Sequence, residues 1–385
     1  MKSSETVELL QKLVRIPSPN PPGDTQSIAS FIADYMRTIG CSVSTPAPEV
    51  KPEAVNVIAT LGEGQPVVML HAHIDTVPIA ATEAGKWHVD PYAGVIEDGK
   101  LYGKGSIDDK APLASMMIAM AYIADHADKL DGTVILVAAA EEEVGGQLGT
   151  KWLADNGHLP ECDFIVVGEQ THNKVANAHK GVMRATIKTI GKSVHATNPD
   201  RGINAITAMS KVVQSLDVYH QELSKRVHPA VGVPTCNVGV IRGGSTANAV
   251  PDSCTIQLDR RMIPGENPEV VKSELKHVVA SIDISPASIE IDEFLFSSWF
   301  DSSVDSELAQ TFLSCVRDEL NEDPGPIGYL PGSDAKHLMD IVRGDMIIFG
   351  PGSYEVAHAI DEHVEVEALL STTNILIDFV KRVYL

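Results

Sequence analysis

Two histidines and five carboxylates in this chain are of the right types, and end the right segments, to act on one object. They are His73, Asp75, Asp108, Glu142, Glu143, Glu169 and His358. In an extended segment, residues two apart project to the same side, so His73 and Asp75 point together. An imidazole that binds a metal usually donates its other N–H to a carboxylate, and His73-Ile-Asp75 can supply that edge. Two imidazoles and three carboxylates suit two zinc-like ions, with one carboxylate bridging them and open positions for water and substrate. Adjacent side chains diverge, so of Glu142 and Glu143 one can bind metal while the other serves as general base. Taken alone, Glu141-Glu142-Glu143 reads as a solvated acidic helix start favoured by the helix dipole. The case therefore rests on what positions these groups.

Three buried strands are predicted to do so. Residues 67–70 form a continuous apolar run that ends in His71-Ala-His73-Ile-Asp75 and the breaker Pro78. Residues 132–140 are a second run, ending directly in Glu141-Glu142-Glu143, and residues 164–168 a third, ending in Glu169. Polar groups at the carboxyl ends of such strands lie where open α/β sheets bind ligands, and three endings together imply a shared site at one sheet edge. A loop over 87–105, with a hairpin turn at Asp98-Gly99, delivers Asp108 to the start of an apolar helix. That helix, residues 111–124, is too short to span a bilayer. Helices are predicted at 5–16, 24–40 (stopped by Gly40), 306–321 and 364–383, with a further strand at 345–349.

From about 176 to 292 the pattern changes to amphipathic strands (184–190, 235–241, 253–258) and helices (204–223, 268–282). This is the order of an α+β domain with an antiparallel sheet. The organisation predicted is a discontinuous catalytic domain, 1–176 and 293–385, and an inserted domain, 177–292.

The 385 residues carry 44% hydrophobic and 21% charged side chains and a formal net charge of −22, which disfavours nucleic acid and anionic membranes as partners. Five scattered cysteines without a C-x-x-C pair read as reduced packing residues, and the amphipathic, acidic amino terminus is unlike a secretory signal. The expected location is the cytoplasm.

The ordered motifs resemble the M20 metallopeptidase and deacylase family, which includes acetylornithine deacetylases, succinyl-diaminopimelate desuccinylases, aminoacylases, carboxypeptidase G and related dipeptidases. His73-Ile-Asp75-Thr-Val-Pro78 is similar to H-x-D-x-V-P. Trp87, Asp90-Pro91 and Leu101-Tyr-Gly-Lys-Gly105 precede Asp108 as in that family; Glu142-Glu143-Val-Gly145, Gly168-Glu169 and His358 before Asp361-Glu362 complete the set. The resemblance implies a zinc-peptidase-like α/β catalytic domain with a mostly parallel central sheet and an α+β lid and dimerisation domain. It implies two divalent ions, zinc first and cobalt or manganese as alternatives. Asp108 would bridge them, His73 and Glu169 completing one site, Glu143 and His358 the other. Asp75 would orient His73, Glu142 would be the general base, and the Asp108–Asp109 peptide would be cis.

In the middle domain, Gly191-Lys-Ser-Val-His195-Ala resembles the lid signature, which implies that His195 reaches a partner's active site in a homodimer. Asn248 and Arg261 match substrate-binding positions. Arg261 suits bidentate pairing with a carboxylate, and Arg260 is a competing or merely solvated neighbour. Gly332-Ser333-Asp334 resembles a G-[ST]-D loop whose backbone and hydroxyl groups hold the substrate's carboxylate end. His71 is read as packing or supporting the site.

The implied activity is metal-dependent hydrolysis of the amide bond of small N-acyl amino acids. Asp108-Asp109-Lys110-Ala111-Pro112 departs from the D-M-K-G of deacylases towards the D-[DN]-K-G-P of dipeptidases, while the chain length suits the deacylases. A dipeptidase would need an acidic group for the substrate's amine, and Asp109 is the candidate. A non-catalytic binding protein on the same scaffold is the alternative of another class; the intact Glu142 and the full ligand set argue against it.

Overall fold

The computed structural model describes residues 2–83, 85–322 and 325–385. The chain divides into two compact units, 1–177 with 302–385, and 178–301.

The first unit is built on a sheet whose central four strands run parallel. In spatial order they are Gly132–Ala139, Val67–His73, Cys162–Gly168 and Val342–Phe349. Val57–Glu63 and then Ser42–Ser44 extend one edge antiparallel. Every residue of Val67–His73 is buried, which is why its sequence is apolar without alternation. Because the four strands are parallel and adjacent, their carboxyl ends open on the same edge of the sheet. The helix Lys110–Ala124 is buried on nearly every side, as an all-round apolar helix must be. Its Pro112 stands in the first turn, where a missing N–H leaves no ladder bond unmade. Helices Lys2–Val14, Gln26–Thr38, Glu307–Leu320 and Val366–Tyr384 complete the layers. Ser306 caps its helix by accepting from Ala309 N at 3.2 Å, and Asn321 ends it in the left-handed conformation. The Asp98-Gly99 turn closes the hairpin Val95–Glu97/Lys100–Tyr102, both turn residues having positive φ.

The second unit is a four-stranded antiparallel sheet in the order Thr235–Gly243, Ser253–Met262, Gly181–Ile190, Ser288–Ser297. The helices Ala205–Leu223 and Pro268–Ala280 share its apolar core. Ser288–Ser297 lies across the boundary expected at 292 and pairs with Gly181–Ile190 from Val182 to Ile190, and the unit extends to 301. Its acidic residues Glu290 and Asp292 alternate with Ile289 and Ile291, an edge pattern that reads as polar surface when its pairing partner is unknown. Among the described residues no helix is long and apolar enough to cross a membrane.

Four buried phenylalanines tie the sheet to its helices. Phe312 meets Phe349 at 4.9 Å and Phe379 at 5.1 Å, both edge to face, and Phe164 meets Phe379 at 5.5 Å. Replacing Phe312 by Ala removes a ring from this cluster and leaves a cavity, with an expected loss of about 3–5 kcal/mol in unfolding free energy. Equilibrium denaturation of the first unit's transition checks it; a loss below about 1 kcal/mol would mean the cluster collapses around the gap.

Candidate active site

Each strand ending carries what the sequence puts there. His73 closes Val67–His73, Glu142 and Glu143 follow Gly132–Ala139 in a short turn, and Glu169 follows Cys162–Gly168. The loop after the fourth parallel strand, Val342–Phe349, brings His358. Asp108 precedes the Lys110–Ala124 helix, and the Asp108–Asp109 peptide is cis, as the resemblance implies.

These residues form two groups with one member in common. His73, Asp108 and Glu169 offer ligand atoms that all lie within 4.8 Å of one another, and so do Asp108, Glu143 and His358. Asp108 turns one carboxylate oxygen to each group. Oδ1 is 2.9 Å from His73 Nε2, and Oδ2 is 3.0 Å from His358 Nε2. Glu143 Oε2 stands 3.1 Å from the same His358 nitrogen, and its other oxygen accepts from Val77 N at 3.1 Å. Glu142 belongs to neither group. Its Oε1 faces the Lys336 ammonium at 3.8 Å, so the two glutamates diverge and only one of them joins the ligand atoms.

The electrostatics suit cations. Burial pushes Glu169 well above the usual carboxylate range, Asp108 adding to the shift, and burial likewise raises Glu143. Burial opposes a charge on His73, but hydrogen bonds to Asp108 and Asp75 outweigh it and raise its pKa. His358 is lifted to about 10, first by its hydrogen bond to Asp108 and then by Glu143. The imidazoles and carboxylates thus pair with each other where divalent cations would satisfy all five. His73 Nδ1 is turned to Asp75, 3.0 Å from its backbone oxygen and 3.5 Å from Oδ1, which leaves Nε2 as the ligand atom. The donor set, three carboxylates and two imidazoles with the side chain of Asp108 shared, fits two borderline divalent ions. Burial, ahead of the nearby Lys336, sets Glu142 and pushes it up to about 8.

Several residues support the centre: Lys104, Glu362 and His71 stand in or beside motifs noted in the sequence, whereas Tyr329, Gln170, Asn20 and Thr150 have no local signature. Tyr329 hydroxyl lies 3.0 Å from Glu169 Oε2, and Gln170 Nε2 donates to the same oxygen at 3.2 Å. Glu362, buried in an ion pair with Lys104 at 3.1 Å, accepts from the backbone N–H groups of Ile107 and Asp108, each at 3.4 Å. Asn20 Nδ2 donates to Asp75 Oδ2 at 2.8 Å. His71, buried, bonds Thr150 Oγ1 through Nε2 at 2.7 Å, and Thr150 donates to Asp334 at 2.6 Å. The signal available for these was pairwise and long-range, Tyr329 and Glu169 being 160 residues apart.

Other expected residues are placed differently. Ser333 is fully buried and its hydroxyl caps the turn Asp334–His337 by accepting from Ala335 N at 3.3 Å, so Gly332 is the exposed part of that loop. Asp109 is fully buried, Oδ2 accepting from His73 N at 3.2 Å and Oδ1 having no hydrogen-bond partner, so its carboxylate is closed off from solvent. In the second unit, His195 and Asn248 are exposed on neighbouring segments joined by Ala196 N donating to Asn248 O at 2.9 Å. Arg260 is not solvated: it is completely buried and paired with Glu266 at 2.6 Å. Arg261 on the opposite face is partly exposed and uses Nε on Asp259 at 2.8 Å.

The family model for peptidase family M20/M25/M40 matches residues 69–382. An acetylornithine deacetylase of Proteus mirabilis is 27% identical over 96% of this chain and 94% of its own length. A probable succinyl-diaminopimelate desuccinylase of Staphylococcus aureus is 26% identical over 96% of this chain and 95% of its own length. Among solved structures, a tripeptidase of Staphylococcus aureus superposes with a TM-score of 0.79 at 23% identity, covering 99% of this chain and 98% of that one. A dinuclear metal-binding peptidase of family M20 from Bacillus subtilis gives 0.71 at 16% identity, covering 99% and 98%. Full-length likeness, the mixed α/β fold and the two clusters of ligand atoms agree: the chain belongs to peptidase family M20/M25/M40 and is a metal-dependent hydrolase acting on amides or peptides.

Proposed function

We propose that this hydrolase removes the acyl group from small N-acyl amino acids at a centre of two divalent ions. The observation that carries the reading is Asp108, one oxygen towards each group of ligand atoms, with Glu142 beside both groups and outside them. His73, Asp108 and Glu169 would hold one ion; Asp108, Glu143 and His358 the other. Zinc is the ion we assign first, and cobalt or manganese suits the same donors. Bound there, the ions supply Lewis-acid polarisation of the amide carbonyl and lower the pKa of the attacking water.

The chain's own residues carry the protons. Glu142 takes one from the water that attacks the carbonyl and gives it to the leaving amine nitrogen as the C–N bond breaks. Burial raises this carboxyl above its ordinary range, which favours its taking up a proton. Asp75 keeps His73 in the Nδ1-protonated form with Nε2 as donor. Arg261 suits the substrate's carboxylate, because Arg260 is already occupied by Glu266. Asn248 and the backbone of Gly332 add contacts, and His195, supplied by a second copy in a homodimer formed through the 178–301 unit, stabilises the oxyanion. The substrate is small, nucleic acid and membranes have no part, and the five unpaired buried cysteines accord with a cytoplasmic setting.

The choice of acyl amino acids over dipeptides is supported by the named relatives and by Asp109. A dipeptidase needs a group for the free amine, and the one residue the sequence offered is turned to the His73 backbone. Free-amine release from N-acetyl, N-succinyl and longer N-acyl amino acids beside unblocked dipeptides tests the reading. We expect acyl amino acids to be cleaved, activity to be abolished by chelator and restored by zinc; cleavage of dipeptides alone would overturn it. Glu142→Ala is expected to lower kcat by about 10²–10⁴-fold while metal content and folding persist. Near-parental turnover in that variant, with bound metal measured in the same sample, would remove Glu142 from its role.

A further inference from the structure

The carboxylate of Asp75 is engaged mostly away from His73. Oδ1 accepts from Glu142 N at 3.1 Å, and Oδ2 accepts from Glu143 N at 3.3 Å. Oδ2 also takes the Asn20 side-chain amide at 2.8 Å, and Oδ1 lies 3.5 Å from His73 Nδ1. The same Asn20 nitrogen donates its other hydrogen to Glu141 Oε1 at 3.1 Å. Glu141 Oε1 in turn pairs with Lys51 Nζ at 2.5 Å. Asn20, Asp75 and Glu141 are all buried. Glu141 opens the Glu142–Glu143 turn at φ 71°, a left-handed conformation that a non-glycine residue holds only when its surroundings impose it.

We propose that Asn20 is a positioning residue for the hydrolytic centre, acting through Asp75 and Glu141. One NH2 group is shared between two buried carboxylates and is the link that joins them, Lys51 holding only the Glu141 side and the Glu142 and Glu143 amides only the Asp75 side. It thereby fixes the segment bearing His73 against the turn bearing Glu142 and Glu143. The Asn20 backbone is itself clamped, its N–H donating to Thr76 O at 2.8 Å while Thr76 N donates to Ser18 O at 2.9 Å. The side chain therefore has little freedom to leave the two carboxylates, and no other side-chain amide reaches them among the described residues. Asn20 touches no ligand atom of the two clusters; its effect is on where those atoms stand. This inference rests on the roles given above to Asp75, Glu142 and Glu143.

Asn20→Asp tests it, because the replacement keeps the shape and removes the donor, setting a third carboxylate against Asp75 and Glu141. In the metal-free protein we expect the amides of Glu142 and Glu143 to exchange hydrogen at least about tenfold faster, since their acceptor is no longer held. In the metal-loaded enzyme we expect kcat or the affinity for added zinc to fall by about 10–100-fold, with KM nearly unchanged. Asn20→Ala, which removes the donor without adding charge, should fall between Asn20→Asp and the parent, and takes its place if the aspartate variant does not fold. Parental exchange rates, kcat and zinc affinity in the folded variant would overturn the proposal. So would a variant that only melts earlier while each folded molecule turns over as the parent does. The exchange and zinc-binding readings need no substrate, so they remain decisive if the acyl-amino-acid reading fails.

Discussion

The structure depends on sharing one carboxylate, that of the buried Asp108, between two sets of donors, one wholly buried and the other opening to solvent at His358. Its two oxygens meet His73 and His358 at 2.9 and 3.0 Å. Three carboxylates this close repel one another and lose hydration, which is why Glu169 and Glu143 shift towards protonation. The fold sustains the arrangement by rigidity. Four adjacent parallel strands bring their carboxyl ends to one edge, and the loop before the Lys110–Ala124 helix is held from behind by Glu362 and Lys104. Glu362 itself is raised to about 7 by burial, with Lys104 pulling the other way, so even this support is an ion pair held out of water.

Much of this was legible in the sequence because it is local. A continuous apolar run followed by His-x-Asp or by Glu-Glu fixes both the strand and the polar group at its end, as Val67–His73 and Gly132–Ala139 show. Asp98-Gly99 marked a hairpin through its own backbone preference, and the helix expected at 306–321 is closed in the structure by Ser306 at one end and Asn321 at the other. The distant support was not legible. Asn20 and Tyr329 join the centre across 55 and 160 residues, and nothing in their immediate neighbours announces a buried carboxylate. The choice between Arg260 and Arg261 stayed open because the expected strand ended at 258. Neighbours on a strand face opposite sides, and with the strand running to Met262 the alternation of Cys254, Ile256 and Leu258 puts Arg260 on the buried face.

The second unit illustrates how a motif can be read while its surroundings are misjudged. Its two helices were expected from their amphipathic pattern, and the structure adds their caps, Asn204 and Asn267 each accepting from backbone N–H groups of the first turn. Its last strand, Ser288–Ser297, was hidden by acidic residues on its exposed face. Ser333 makes the same point in a loop. A hydroxyl in a motif that resembles a binding loop is here buried and occupied as a cap, and the physical role it fills is to hold Asp334–His337, from which Lys336 reaches Glu142.

The measurement that tests the account most directly is the metal stoichiometry and location in a zinc-soaked crystal, by anomalous diffraction, for the parent and for Asp108→Asn. The account predicts two ions in the parent, one by His73 and Glu169 and one by Glu143 and His358, both contacting Asp108, and weakened occupancy of both in the variant. A single ion, or two ions whose occupancy ignores the loss of Asp108, would contradict it.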